Sequence, residues 1–334
     1  MTVHPEAPLH GADVLLADLD GVVYRGHLPV EHAVDALEAV AREGIRVGYV
    51  TNNASRTPGE VAQQLRGFGL SAQADDIVTS PQAGVKLLKE MVPAGARILV
   101  IGGEGLTTEV QAAGYTVVSR AEDEPAAVIQ GFHPSVGWTQ LAEASYAIQR
   151  YSIPWIATNQ DWTIPRAEGV APGNGTLVSA VHTAVGVLPT VAGKPERAIF
   201  DAAVARFGAK AAFVIGDRLD TDIVGANRAG LESALVLTGI DRGKQLISAR
   251  HEERPTYILD DLRQLLEPYP WPELEEETAT VYVRDAAVRL VGNRVEIVNA
   301  GSDPTDLLRA GCGVVWASGL SIYALEVPRE IYER

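Results

Sequence analysis

Asp13-Val14-Leu15-Leu16-Ala17-Asp18-Leu19-Asp20-Gly21-Val22-Val23-Tyr24 is the stretch on which the fold turns. A short apolar run rich in Val and Leu reads as a strand buried on both faces, the pattern of a parallel sheet. It leads directly into two carboxylates one residue apart and then a glycine. Open α/β sheets bind ligands at the carboxyl ends of their strands, so Asp18 and Asp20 stand where chemistry is placed. Side chains alternate along a strand, and both acids point the same way if the strand extends that far. Carboxylates so close repel each other unless a cation lies between them or one turns away at the Gly21 bend. A divalent metal resolves the repulsion. The pair can then divide phosphoryl transfer: one ionised acid attacks phosphorus, and the other protonates the leaving oxygen and later activates water. An Asp-Gly turn that merely closes a buried strand would carry the same residues, so the remainder of the chain has to decide.

Three further stations follow apolar, strand-like runs. Val47-Gly48-Tyr49-Val50 enters Thr51-Asn52-Asn53-Ala54-Ser55, where a hydroxyl and successive backbone N–H groups suit phosphate oxygens, although the same residues serve as ordinary caps and turns. Gly193-Lys194-Pro195 holds a lysine between two backbone-restricting residues, placed to neutralise a phosphate or a nucleophile. Ala211-Ala212-Phe213-Val214-Ile215-Gly216 runs into Asp217-Arg218-Leu219-Asp220-Thr221-Asp222-Ile223. Acids at a strand end and at the following helix start are what an oxygen-ligated Mg²⁺ site requires.

In this order the four stations resemble the motifs of the haloacid dehalogenase (HAD) superfamily. The likeness is nearer to its p-nitrophenyl phosphatase and phosphoglycolate phosphatase branch, through Asp18 to Gly26, Thr51-Asn52-Asn53, Ala157 to Asp161, Pro172 to Gly175, Gly193-Lys194-Pro195 and Gly216 to Asp222. It spans residues 13 to 265. The resemblance implies that Asp18 becomes an aspartyl phosphate and that Asp20 is the general acid and base. It implies that Thr51 and Lys194 bind the phosphoryl group, assisted by backbone N–H groups at Asn52 and Asn53. Mg²⁺ would be held by Asp18, the Asp20 carbonyl and Asp217, with Asp222 behind them. Asn159, Asp161, Trp162 and Arg166 are the residues expected to select the leaving group. An acid at position 20 favours hydrolysis, since the family's dehalogenases lack it and its ion pumps carry Thr there. A phosphatase is therefore expected.

Motif spacing sets the domain organisation. Far more sequence separates Thr51 from Lys194 than one βα unit needs, so a second domain is inserted there. The expected fold class is α/β, a Rossmann-like core with a parallel sheet (1–80 and 190–268), an inserted α/β cap (81–189) and a small C-terminal α+β module (271–334). After a helix over 59–68, the strand Arg97–Ile101, the run Ala126–Gln130 and a helix over 136–150 are expected to build the α/β insert. Ser80-Pro81 and Leu188–Gly193 read as domain crossings. The glycines of Gly102–Gly105 and Pro172–Gly175 complete no nucleotide fingerprint and read as turns. After a proline-rich, acidic linker, Glu267–Glu277, three short strands around a Gly292-Asn293 turn precede a helix opened by Asp303-Pro304. This module is similar to the truncated acetyltransferase-like piece appended to some bacterial glycerol-3-phosphate phosphatases of the branch. It shows no acyl-CoA loop and is read as structural or as a surface for homo-oligomer assembly.

Composition narrows the partners. With 334 residues, 46% of them hydrophobic, the chain has material for two or three cores. A net charge of −15 without a basic tract opposes nucleic-acid binding. Cys312 is the single cysteine, which rules out an intramolecular disulfide. No signal peptide or membrane-length apolar run is read, and a cytoplasmic location is expected. The expected substrate is a small phosphorylated metabolite, first glycerol 3-phosphate by the likeness in domain make-up, then 2-phosphoglycolate or an aryl phosphate. A phospho-Asp signalling receiver also joins a strand-end Asp to acids, a Thr and a Lys, but the insert and Asp20 oppose it. An acetyltransferase regulated by an inactive phosphatase requires a tail that binds acyl-CoA.

Overall fold

The computed structural model describes residues 3–4, 6–166 and 169–333, apart from the side chains of residues 165 and 166. The chain divides into two compact units, Met1–Val47 with Ala209–Arg334, and Gly48–Gly208.

In the first unit, Val14–Ala17 lies parallel to Ala212–Gly216, which is followed by Glu232–Val236 and Tyr257–Leu259 in one sheet. All four residues of Val14–Ala17 are buried, as the unbroken apolar run requires. A second, antiparallel sheet is formed by Glu273–Glu275, Thr280–Val283, Ala286–Val291 and Arg294–Asn299, with the helix Pro304–Ser318 against it. Asp303 caps this helix by accepting the Thr305 N–H at 2.8 Å, and Pro304 takes the first position, where no N–H is needed. Glu273–Glu275, expected within the linker, is instead an edge strand paired with Thr280–Tyr282. Its pairing needs only backbone groups, and the outward glutamates keep the edge charged.

This C-terminal module shares one hydrophobic cluster with the parallel sheet, in which Leu235, Leu246, Ile247 and Ile258 pack with Val281, Val288, Leu308 and Ile331. Buried Arg309 fastens the module down: it donates to the Ile258 carbonyl at 2.6 and 3.0 Å, pairs with Asp306 at 2.6 Å and lies over the Tyr269 ring. A buried charge is tolerated because its donors are matched to acceptors.

In the second unit, a five-stranded parallel sheet has the order Thr190–Val191, Trp155–Ala157, Ala127–Gln130, Arg97–Ile101, Thr116–Val118. The helices Trp138–Tyr151 and Asn174–Val185 cover it through Leu99, Val128, Ile148, Trp155, Val178 and Val181. Arg46–Thr51 enters from the first unit and pairs in parallel with Ile77–Thr79. Ser80 and Pro81 are both buried in the first turn of the helix Ser80–Met91, where proline is favoured. Among the described residues no helix is long and apolar enough to cross a membrane.

Candidate active site

The first unit brings carboxylates together by strand register. Ala17 is opposite Ile215, and the Asp18 N–H donates to the Ile215 carbonyl at 2.9 Å. Asp18 and Asp217 therefore leave the carboxyl ends of adjacent parallel strands, where an α/β sheet binds its ligand. A π-helical turn, Leu219–Ile223, returns Asp222 to the same place. Carboxylate oxygens of Asp18, Asp217 and Asp222 lie within 4.8 Å of one another, and Asp217 and Asp222 are buried. Three hard oxygen donors at that spacing fit Mg²⁺, and their mutual repulsion in a buried place favours a cation.

The strand ends at Ala17, before both motif acids, so strand alternation does not set the direction of the Asp20 side chain. Asp20 is exposed and belongs to a turn in which the Gly21 N–H donates to the Tyr24 carbonyl at 2.8 Å. Gly21 has φ +84°, and a Cβ on it would overlap the Asp217 carboxylate. A Cβ on Gly239 would overlap the same carboxylate from another direction, so Asp217 is seated between two glycines that leave room for it. The Ile240 N–H donates to Asp217 Oδ2 at 2.8 Å, and the Arg218 N–H to Asp222 Oδ2 at 3.2 Å. Asp241 accepts the Leu219 N–H at 2.7 Å; burial raises its pKa above the ordinary carboxylate value, against the lowering effect of that bond.

The second unit assembles the remaining motif residues around Asn52. Its Oδ1 accepts the Lys194 N–H at 2.8 Å, while its Nδ2 donates to the Lys194 carbonyl and to Asp161 Oδ1, each at 3.0 Å. The Asn52 carbonyl accepts from Ser80 Oγ at 2.7 Å and from Asn159 Nδ2 at 2.8 Å. Pairing of Thr51 with Thr79 sets Asn52 beside Ser80, and pairing of Val191 with Ala157 brings Lys194 and Asn159 off neighbouring strand ends. Lys194, only 5% exposed, donates through Nζ to the Val50 carbonyl at 3.3 Å. The Asn53 N–H donates to Thr51 Oγ1 at 3.1 Å, and Asn53 Oδ1 accepts from Ser55 N–H and Oγ. The side chains of Asn52 and Asn53 thus shape the loop.

The four leaving-group candidates separate. Asn159 and Asp161 belong to the Asn52 network, whereas Trp162 is 65% exposed beside the hairpin Thr163–Arg166 and Gly169–Pro172. The Arg166 side chain lies outside the described residues. Gly173 and Gly175 lie so close to the Asp161 and Gln160 carbonyls that side chains would collide there, and Asn174 Nδ2 donates to the Asn159 carbonyl at 2.7 Å. The sequence does not mark Ser80 or the Thr238–Asp241 loop as part of the site, and within Pro172–Gly175 it gives the Asn174 side chain no role. That loop carries a signal all the same, since the apolar run Ala234–Leu237 ends in Thr238-Gly239 as the other strands end in their motifs.

The model of the haloacid dehalogenase-like hydrolases matches residues 15–116, and a second, HAD-hydrolase-like model matches 191–265. A D-glycerol 3-phosphate phosphatase of Mycobacterium tuberculosis is 43% identical over 311 residues, covering 91% of this chain and 86% of its own. The chain belongs to the HAD-like hydrolases. This hydrolase is also similar to the crystal structure of a glycerol phosphate phosphatase from M. tuberculosis in complex with magnesium, at 40% identity and TM-score 0.87, covering 97% of this chain and 95% of that one. A p-nitrophenyl phosphatase from Archaeoglobus fulgidus, at 29% identity and TM-score 0.71, is covered to 98% yet matches only 77% of the hydrolase.

Proposed function

We propose that the chain is a Mg²⁺-dependent phosphomonoester phosphatase whose substrate is glycerol 3-phosphate, yielding glycerol and phosphate. The observation that carries the substrate is the extent of the likeness: it includes nearly all of this chain and of the magnesium-bound glycerol phosphate phosphatase, whereas the aryl phosphatase leaves about a quarter of the chain unmatched.

In this reading Asp18 attacks phosphorus through a carboxylate oxygen, the ester P–O bond breaks, and Asp20 gives its proton to the departing glycerol oxygen. Asp20, now ionised, takes a proton from water, whose oxygen attacks the aspartyl phosphate; the P–O bond to Asp18 breaks and phosphate leaves. An exposed Asp20 is suited to exchanging protons with the leaving group and with water. Asp18, Asp217 and Asp222 would hold the Mg²⁺, with the Asp20 carbonyl as a further oxygen; when bound, the ion offsets the charge of carboxylates and phosphoryl oxygens. Thr51 and Lys194 bind phosphoryl oxygens, Lys194 being held by Asn52 and by the Val50 carbonyl. Residues 81–189 select the leaving group through the loop of Asn159, Asp161, Trp162 and Arg166. We place the enzyme in the cytoplasm, where phosphorylated metabolites are retained by their charge. Phosphate release from glycerol 3-phosphate, 2-phosphoglycolate and p-nitrophenyl phosphate tests the reading. A kcat/KM for glycerol 3-phosphate well below that of either competitor removes the substrate, and release from none of the three removes the phosphatase.

A further inference from the structure

The segment Thr238–Gly243 touches every stretch of chain that carries a carboxylate of the metal cluster. Thr238 Oγ1 donates to the Gly21 carbonyl at 2.8 Å, tying it to the turn after Asp18. Gly239 packs on the Asp217 carboxylate, the Ile240 N–H donates to that carboxylate, and the Asp241 N–H donates to the Asp217 carbonyl at 3.0 Å. The Asp241 carboxylate accepts the Leu219 N–H, which anchors the start of the turn bearing Asp222.

What stands behind this segment is the C-terminal module. Leu237 before it, Leu219 in the Asp222 turn, and Leu246 and Ile247 after it are buried in one cluster with Val281, Leu308 and Ile331. At Gly243 a Cβ would meet the Tyr332 carbonyl oxygen at 2.6 Å and its Cα at 3.0 Å, so the tail residues 331–332 form a close wall. Ile331 is itself wedged against Gly311 of the module's helix, where a Cβ would collide with it.

We propose that the C-terminal module is a positioning element of the metal centre: through Ile331, Tyr332 and the 238–243 segment it holds Asp217 and Asp222 in register, and so sets the affinity for the divalent cation. Asp241 is the positioning residue that joins the segment to the Asp222 turn. The inference rests on reading Asp18, Asp217 and Asp222 as metal ligands. Its physical ground is that carboxylates gathered against their own repulsion spread when their supports yield, and the cation then finds fewer oxygens at bonding distance.

The test is Mg²⁺ binding by the full-length protein without substrate, by calorimetry and by the Mg²⁺-induced shift in melting temperature. Asp241→Ala and Ile331→Ala are expected to weaken binding about tenfold, the lower end of what lost outer supports cost a metal site. Asp241→Asn keeps an oxygen for the Leu219 N–H and is expected to restore binding. Gly243→Ala presses on Tyr332 without opening a cavity, and is expected to weaken binding even if Ile331→Ala fails to fold. Val295→Ala, on the last strand of the module, is expected to lower the melting temperature with an unchanged Mg²⁺ Kd. Unchanged Kd values in Asp241→Ala and Gly243→Ala, or a Kd that follows lost melting temperature in every variant including Val295→Ala, overturn the proposal. If the parent protein and Asp217→Asn take up Mg²⁺ equally, the metal assignment itself falls and this inference falls with it.

Discussion

Asn52→Ala is the perturbation that reaches furthest into the phosphate-binding motifs. It removes the acceptor of the Lys194 N–H at 2.8 Å and the donor to the Lys194 carbonyl at 3.0 Å, as well as the donor to Asp161. Both Lys194 backbone groups are buried, and a methyl group replaces the side chain that bridges them. Leaving a buried polar group without its partner costs about 1–3 kcal/mol, so the two together amount to about 2–6 kcal/mol. For a unit of this size each kcal/mol lowers the melting temperature by about 2–4 °C, which predicts a fall of roughly 4–24 °C. In the proposed reading Lys194 serves the phosphoryl group that all phosphomonoesters share. The variant is therefore expected to lose kcat/KM by a common factor for glycerol 3-phosphate and p-nitrophenyl phosphate, measured below its melting range. A melting temperature within a degree of the parent's, or a loss confined to one substrate, refutes the reasoning.

Asp18→Asn is expected to lower turnover by at least about 10⁴-fold while the melting temperature holds, since the amide keeps the shape and loses the nucleophile; phosphate release measures it. Chelation is expected to abolish activity and Mg²⁺ to restore it, with Ca²⁺ a poor substitute because its larger, irregular shell can engage both oxygens of Asp18; full activity in excess chelator contradicts the carboxylate site. Lys194→Ala is expected to depress both substrates by about 10²–10³-fold. Trp162→Ala is expected to change their ratio instead, read as relative kcat/KM. The N–H groups of Lys210 and Ala211 hold the Asp13 pKa below the ordinary carboxylate value, so its stabilising effect is present above that value and disappears as pH falls through the folded one. Asp13→Ala is therefore expected to melt below the parent at pH 7, with a gap that closes in thermal scans taken below about pH 4.

Local chemistry was legible in the chain itself. The strand Val14–Ala17, the strand Arg97–Ile101 and the helix start at Asp303-Pro304 are written in apolar runs and capping residues, because propensity and burial act over a few neighbours. Four motifs in order were enough to point to candidate catalytic acids and a candidate phosphate-binding lysine. Their arrangement in space was not legible, because it depends on where a strand stops and how a turn folds back. The strand stops at Ala17, short of both Asp18 and Asp20, and Asp222 reaches the cluster through the π-helical turn. Sequence offers the Asn52 backbone N–H to phosphate and is silent on the side chain, which the fold engages with Lys194 and Asp161, residues more than a hundred positions away. The acidic stretch Glu273–Glu275 looks like linker until a partner strand supplies its hydrogen bonds. Sequence determined which residues can do the chemistry, since that is a property of each side chain. Tertiary structure alone decided which are supports and which are left to react, because a hydrogen-bond partner or a tightly packed neighbour is supplied by whatever the fold brings alongside.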